Sequence, residues 1–206
     1  RRHNAPVCVG GEENVQTIDE ERAYLEAVLP ELPDFLLSKE IYWPAGPRIT
    51  GPSRSQFAQL SLGNIRLAEA RLMAGSPPAS HTDLIAAIDQ LNERWRSNWS
   101  KKAALEYSSR LRMWKDRLEE LLRDPSLAYY RYEVRLRVIL ALLADDLLAG
   151  IPLQEQEYLA GLDARLKGAS VKAGFIWDPA QQAGFPEETH WYLYRELKSP
   201  QGVLNG

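Results

Sequence analysis

The chain is poor in the residue types that most often carry chemistry. Of its 206 residues one is cysteine and three are histidine. A lone Cys8 excludes an intrachain disulfide framework and leaves a cysteine-based zinc site without ligands. It also suits a reducing compartment. Among the histidines, His3 lies in an arm expected to be mobile, and His81 follows Ser80 at a helix start, where exposure is usual. His190 is therefore the one candidate for an ordered functional imidazole. Glu187 and His190 have the i, i+3 spacing of the Glu-x-x-His element in di-metal carboxylate bundles. Such sites need a second element of the same kind and two further helix-borne Glu. This chain lacks them, so Glu187 reads as a first-turn acid favoured by the helix dipole. No metal and no cofactor is expected.

Other signatures are missing too. There is no Gly-x-Ser-x-Gly nucleophile elbow and no Gly-x-x-x-x-Gly-Lys-Ser/Thr phosphate loop. The glycines at 10, 11, 46 and 51 form no dinucleotide fingerprint and read as turns. With no catalytic set in view, the expectation is a protein that is not an enzyme. The longest apolar run covers residues 138–144 and ends at Asp145 and Asp146, far short of the roughly 30 Å of a bilayer core. Residues 1–14 contain no apolar segment of the kind that opens a secretory signal. The expected location is the cytoplasm, with no membrane partner. No repeat of solenoid period occurs.

What is present is ordinary for a globular chain: 45% hydrophobic and 26% charged residues. Residues 1–14 read as a flexible N-terminal arm and residues 15–206 as a single helical domain. Thr17 with Glu20 has capping-box spacing for a first helix, which Pro30 and Pro33 end. Residues 41–52, with three prolines and two glycines, read as an extended loop anchored by Tyr42 and Trp43. Ser53 reads as the N-cap of a second helix that Gly75 and Pro77 stop.

Residues 80–123 then run without Gly or Pro, with apolar residues from Leu84 through Trp95, Trp99, Tyr107 and Trp114 to Leu121 at steps of three or four. That spacing predicts one long helix of about 60 Å, free to bend near Ser97 to Ser100. Asp124-Pro125 breaks it. A fourth helix is expected over residues 126–149, its centre from Val134 to Leu148 apolar on nearly all sides, and a fifth from Leu153 that closes at Gly168. Val171, Ala173, Phe175 and Trp177 alternate as a short strand would. Asp178-Pro179 and Pro186-Glu187 open two brief helical turns, the second carrying Trp191, Leu193, Tyr194 and Leu197. The fold class is all-α: an irregular bundle of five to six helices with one long central helix and a loop-rich C-terminal segment.

The formal net charge of −3 conceals a pattern. Residues 1–93 carry −5, residues 94–137 carry +6, and residues 138–206 carry −4. The basic stretch either pairs with its acidic flanks when the bundle packs, its aliphatic stems covering apolar surface, or forms an outer stripe that binds phosphates or an acidic protein. The oppositely charged flanks favour internal pairing. Asp145 and Asp146 interrupt the most apolar helix, and a structural ion pair or a solvated edge is expected there rather than an acid-base role, with Arg135, Arg137, Arg110, Arg112 or Arg117 as the partner if one is buried. The tryptophans read as core. The interaction set is Arg110, Arg112, Arg117, Tyr129, Tyr130, Arg131, Tyr132 and Arg135, since arginine and tyrosine are enriched at binding hot spots.

The functional expectation is a helical protein–protein interaction or assembly module, its partner another protein or a second copy. One alternative is a nucleic-acid-associated protein using residues 94–137, although no recognition helix for base reading is apparent. Another is a small-molecule-binding helical domain with a pocket lined by Trp43, Trp177, His190 and Trp191.

Overall fold

A computed structural model describes residues 18–45 and 58–198. The arm at 1–14 and the two cap residues Thr17 and Ser53 lie outside the described residues. The protein is an all-α irregular bundle with a loop-rich C-terminal segment, and the described residues contain one two-stranded sheet. Helix α1 (Ile18–Val28) buries Tyr24, Leu25 and Val28. Pro30 and Pro33 convert its end into a 3-10 turn and then α2 (Leu32–Leu37), which buries Leu32, Phe35 and Leu36. An isolated antiparallel bridge joins Trp43 to Leu60 and leads the chain into α3 (Leu62–Gly75). Ser61 caps α3, its Oγ accepting from the Asn64 amide at 3.2 Å.

The expected long helix is two helices. α4 (Thr82–Arg94) buries only Ile88, whereas α5 (Arg96–Arg123) buries ten side chains, including Trp99, Tyr107 and Trp114. The break falls on Trp95 (φ −113°, ψ 29°), two residues before the expected bend. Neither glycine nor proline marks it. A one-residue break leaves the three-or-four spacing of the apolar residues intact, so periodicity cannot reveal it. In the same way the fourth helix divides at Val134 into α6 (Leu127–Glu133) and α7 (Arg135–Ala144), and the chain leaves α7 five residues before the expected end.

α5 is the axis of the bundle, and α2, α3, α4, α6, α7 and α8 (Leu153–Ala169) pack against it. Gly63 allows a close approach of α3 to α5 and α7. A Cβ there would overlap Ile139 of α7 and stand 2.7 Å from Glu106 Oε1 of α5. The Gly63 amide donates to Glu106 Oε2 at 3.0 Å, so a buried carboxylate sits on the positive end of the α3 dipole. On α8, Leu162 and Leu166 are buried and Leu153 is 69% exposed.

The C-terminal segment begins with β1 (Ser170–Lys172), paired antiparallel with β2 (Arg195–Leu197). Between them lie a 3-10 turn at Pro179–Gly184 capped by Asp178, the single-turn α9 (Glu187–His190) and a second 3-10 turn at Trp191–Tyr194. Leu197, expected in a helical turn, is in the strand. The segment is held through specific polar contacts. Tyr130 donates its hydroxyl to the Tyr192 carbonyl at 2.6 Å, Trp177 Nε1 donates to the Arg131 carbonyl at 2.8 Å, and Tyr194 donates to the Phe185 carbonyl at 2.8 Å. Arg195 and Lys198 donate to the carbonyls of Lys167 and Gly168 at the end of α8, where cations are favoured. No helix of the described residues is long and apolar enough to cross a membrane.

Candidate interaction surface

The basic middle of the chain is divided between the interior and the surface. Lys102 and Arg110 point inward from α5 and are 5% and 4% exposed. Lys102 Nζ donates to the carbonyls of Ser38 and Glu40 and lies 4.1 Å over the Phe35 ring, tying the loop after α2 to α5. Arg110 donates from Nε to Glu106 Oε1 at 3.1 Å, and from Nη2 to Ser61 Oγ and Asn64 Oδ1, both at 3.1 Å. Its outer face stacks on Tyr42, 5.0 Å from the ring centre. Arg110 thus joins α5, α3 and the preceding loop, and offers no surface to a partner.

Arg137 is held inside the bundle by two hydrogen bonds to Asp163 of α8, at 2.9 and 2.8 Å. Arg117 is half-exposed and pairs with Glu120 at 2.7 Å and Glu133 at 3.7 Å. Lys115 pairs with Asp116 and Glu119. Arg112 is exposed and makes no ion pair among the described residues.

The tyrosines separate in the same manner. Tyr130 is fully buried, and burial pushes its phenol pKa up. Tyr129 and Tyr132 stand outside, 69% and 58% exposed. Arg135 lies across the Tyr132 ring, 4.1 Å from its centre, and donates from Nη2 to the Tyr132 hydroxyl at 2.8 Å. It makes no ion pair among the described residues, and burial together with the charges of Arg110 and Arg71 lowers its pKa. Arg131 is partly buried, and its carbonyl anchors Trp177. Of the eight expected residues, the structure thus brings Tyr129, Tyr132, Arg131 and Arg135 together around α6, sets Arg112 and Arg117 on the outer side of α5, and uses Arg110 and Tyr130 inside.

Asp146 is in a buried ion pair, but its partner is not one of the five arginines expected. Arg66 of α3 holds it with two hydrogen bonds, at 2.9 and 2.8 Å. Arg66 also pairs with Glu69 at 2.8 Å and Asp89 at 3.8 Å, and stacks over Trp99 at 4.9 Å. Nothing in the sequence singles out Arg66, which stands 80 positions from Asp146.

His81 is buried, against expectation, its Nδ1 3.0 Å from Ser76 Oγ across the turn that links α3 to α4. His190 packs edge-on against Phe185 and Tyr192. Its Nε2 is buried without a hydrogen-bond partner, and burial with the nearby Arg137 charge lowers its pKa. Glu187 pairs instead with Lys172 at 2.8 Å. Trp177, Trp191 and His190 share an aromatic run with Phe185 and Tyr192, whereas Trp43 packs on Phe35 and bridges to Leu60. Trp99 and Trp114 are fully buried in the core, and the other four tryptophans are partly buried. Among the described residues no group of three or more His, Cys, Asp or Glu could hold a metal ion. Compared with protein-family models, curated proteins and solved structures, the chain matches none, and its function is read from this geometry alone.

Proposed function

We propose that the chain is a helical protein–protein interaction module whose contact face is the outer side of α6. The observation that carries this reading is the presence on α6 of Tyr129 and Tyr132, both more than half exposed, with Arg135 stacked on Tyr132 and making no ion pair among the described residues. Two exposed tyrosines on a seven-residue helix give large, stiff contact area at small entropic cost. The fixed guanidinium adds a charge that selects for an acidic partner. The face is also rigidly supported, because Tyr130 and the Arg131 carbonyl lock the underside of α6 to the C-terminal segment.

A protein partner is favoured over nucleic acid by the fate of the basic segment. Lys102, Arg110, Lys115, Arg117 and Arg137 carry partners within the fold, so five of the segment's twelve cations are withdrawn from phosphates, while the exposed Arg94, Arg96, Lys101, Arg112 and Arg123 make no ion pair among the described residues and keep nucleic acid as the alternative. Selection of displayed peptides against the folded chain tests the proposal. Acidic, aromatic-containing peptides are expected, with binding that substitutions at Tyr129 and Tyr132 weaken. Salt-sensitive binding to mixed DNA or RNA probes, with no peptide selected, overturns it in favour of a nucleic-acid partner.

A further inference from the structure

The outer face of α5 carries a row of side chains apart from α6. Lys101, Leu105, Ser108, Arg112 and Asp116 follow one another at steps of three or four residues, so they share one side of the helix. Lys101 and Arg112 are exposed and make no ion pair among the described residues. Leu105, 60% exposed, is the most exposed large apolar side chain of α5. The Asp116 side chain is 68% exposed and pairs, among the described residues, only with its neighbour Lys115, which pairs with Glu119 as well.

Ser108 and Ser109 occupy the middle of the row, and both hydroxyls are turned aside. Ser108 donates to Glu155 of α8 at 2.6 Å, and Ser109 accepts from the Tyr42 hydroxyl at 3.1 Å. The centre of the row is therefore small and neutral. Its two ends carry opposite charges, 15 positions or about 22 Å apart along the helix.

Such a row is complementary to itself in one direction only. Reversing the helix about the point between Ser108 and Ser109 brings position 101 onto 116 and position 105 onto 112. Two copies laid antiparallel thus place Lys101 of each on Asp116 of the other, and the two-fold axis makes that pair twice. The aliphatic stem of Arg112 covers Leu105 of the other copy, its charged head left in water. The serines meet at the crossing, where small side chains let helix axes come to the short end of the usual range of roughly 8–10 Å. In the parallel direction Lys101 would face Lys101 and Asp116 would face Asp116. A phosphate backbone or an acidic peptide laid along the row would be repelled by Asp116.

From this complementarity we infer that the chain forms an antiparallel homodimer through α5, a contact separate from the α6 face. Two single helices make a contact at the small end of specific interfaces, near or below about 1,200 Å², so the association is weak and salt-sensitive.

Sedimentation velocity of the full chain, from micromolar to millimolar concentration at low and moderate salt, tests the inference. The expected result is a monomer–dimer equilibrium that weakens as salt is added. Lys101→Asp and Asp116→Lys each set like charges together at both ends of the contact, and each should weaken the dimer about tenfold. Both positions are exposed, so the thermal midpoints stay near that of the parent chain. An equimolar mixture of the two variants restores opposite charges at both ends and dimerises, and so does the double variant K101D/D116K. A parent chain that stays monomeric at low salt throughout the range overturns the inference. Single variants that associate like the parent, or a mixture that stays monomeric, overturn it as well. Tyr129→Ser/Tyr132→Ser should dimerise like the parent chain; loss of the dimer there, with K101D and D116K unaffected, moves the contact to α6 and overturns the inference.

Discussion

Arg110 and Glu106 stand one helical turn apart on α5 and meet at 3.1 Å with essentially no exposure to water. The basic half of this pair comes from the stretch whose charge excess suggests an outer stripe, yet its work is internal. Glu106 in turn accepts from the Gly63 amide, so two charges from one helix organise the start of another.

Removing one member strands the other. Arg110→Ala leaves the Glu106 carboxylate buried with only a backbone donor, and the expected loss is about 3–5 kcal/mol, typical of a broken buried pair. Chemical denaturation measures it. The double variant Glu106→Gln/Arg110→Met leaves no lone buried charge, and a double-mutant cycle should therefore show strong coupling between the two positions.

Gly63→Ala should cost about 1–3 kcal/mol, the range for overpacking a filled interior. The added Cβ falls on Ile139 and Glu106, one a core side chain and the other fixed by Arg110. A shift in the denaturant midpoint with little change in slope is the expected signature.

Tyr130→Phe removes the hydroxyl that the Tyr192 carbonyl accepts and leaves that carbonyl buried without its donor. The expected cost is about 1–3 kcal/mol. Amide hydrogen exchange should quicken across residues 170–198 more than in α3 or α5, because this bond fixes the C-terminal segment to α6.

His190 gives a pH prediction with a definite sign. Its folded pKa lies below the usual 6.5, through burial and then the Arg137 charge, so the fold favours the neutral ring. The unfolded chain takes up the proton first as pH falls. Stability from the buried neutral ring is therefore full above pH 6.5 and is lost as pH drops through that value towards the folded pKa. His190→Gln should flatten the stability profile in that window; identical profiles for the two proteins would contradict the assignment.

Much of the architecture was legible in the sequence because it is local. The spacing from Trp99 to Leu121 defines the buried face of α5, Pro30 and Pro33 end α1, and Asp178-Pro179 opens a short helical turn. The breaks at Trp95 and Val134 were not legible, since neither carries a glycine or proline and both preserve the hydrophobic period. Charge totals could not say which cations pair internally and which stay at the surface, nor identify partners: Arg66 with Asp146 and Arg137 with Asp163 meet only once the helices pack. For the site, residue type alone could not separate Tyr130, which faces the core, from Tyr129 and Tyr132, which face water. The 100° step between helical neighbours decides that, and its phase is set by the buried side.

The central claim is that α6 is a contact face, and the most direct measurement is the affinity of a selected acidic, aromatic-containing peptide for the intact chain and for Tyr129→Ser/Tyr132→Ser. Both positions are exposed, so the thermal midpoint should stay within a few degrees. The account predicts at least a tenfold weaker complex for the double variant, the loss of about 1.4 kcal/mol or more that marks a hot spot. Equal affinity for both proteins would contradict it and move the contact face away from α6.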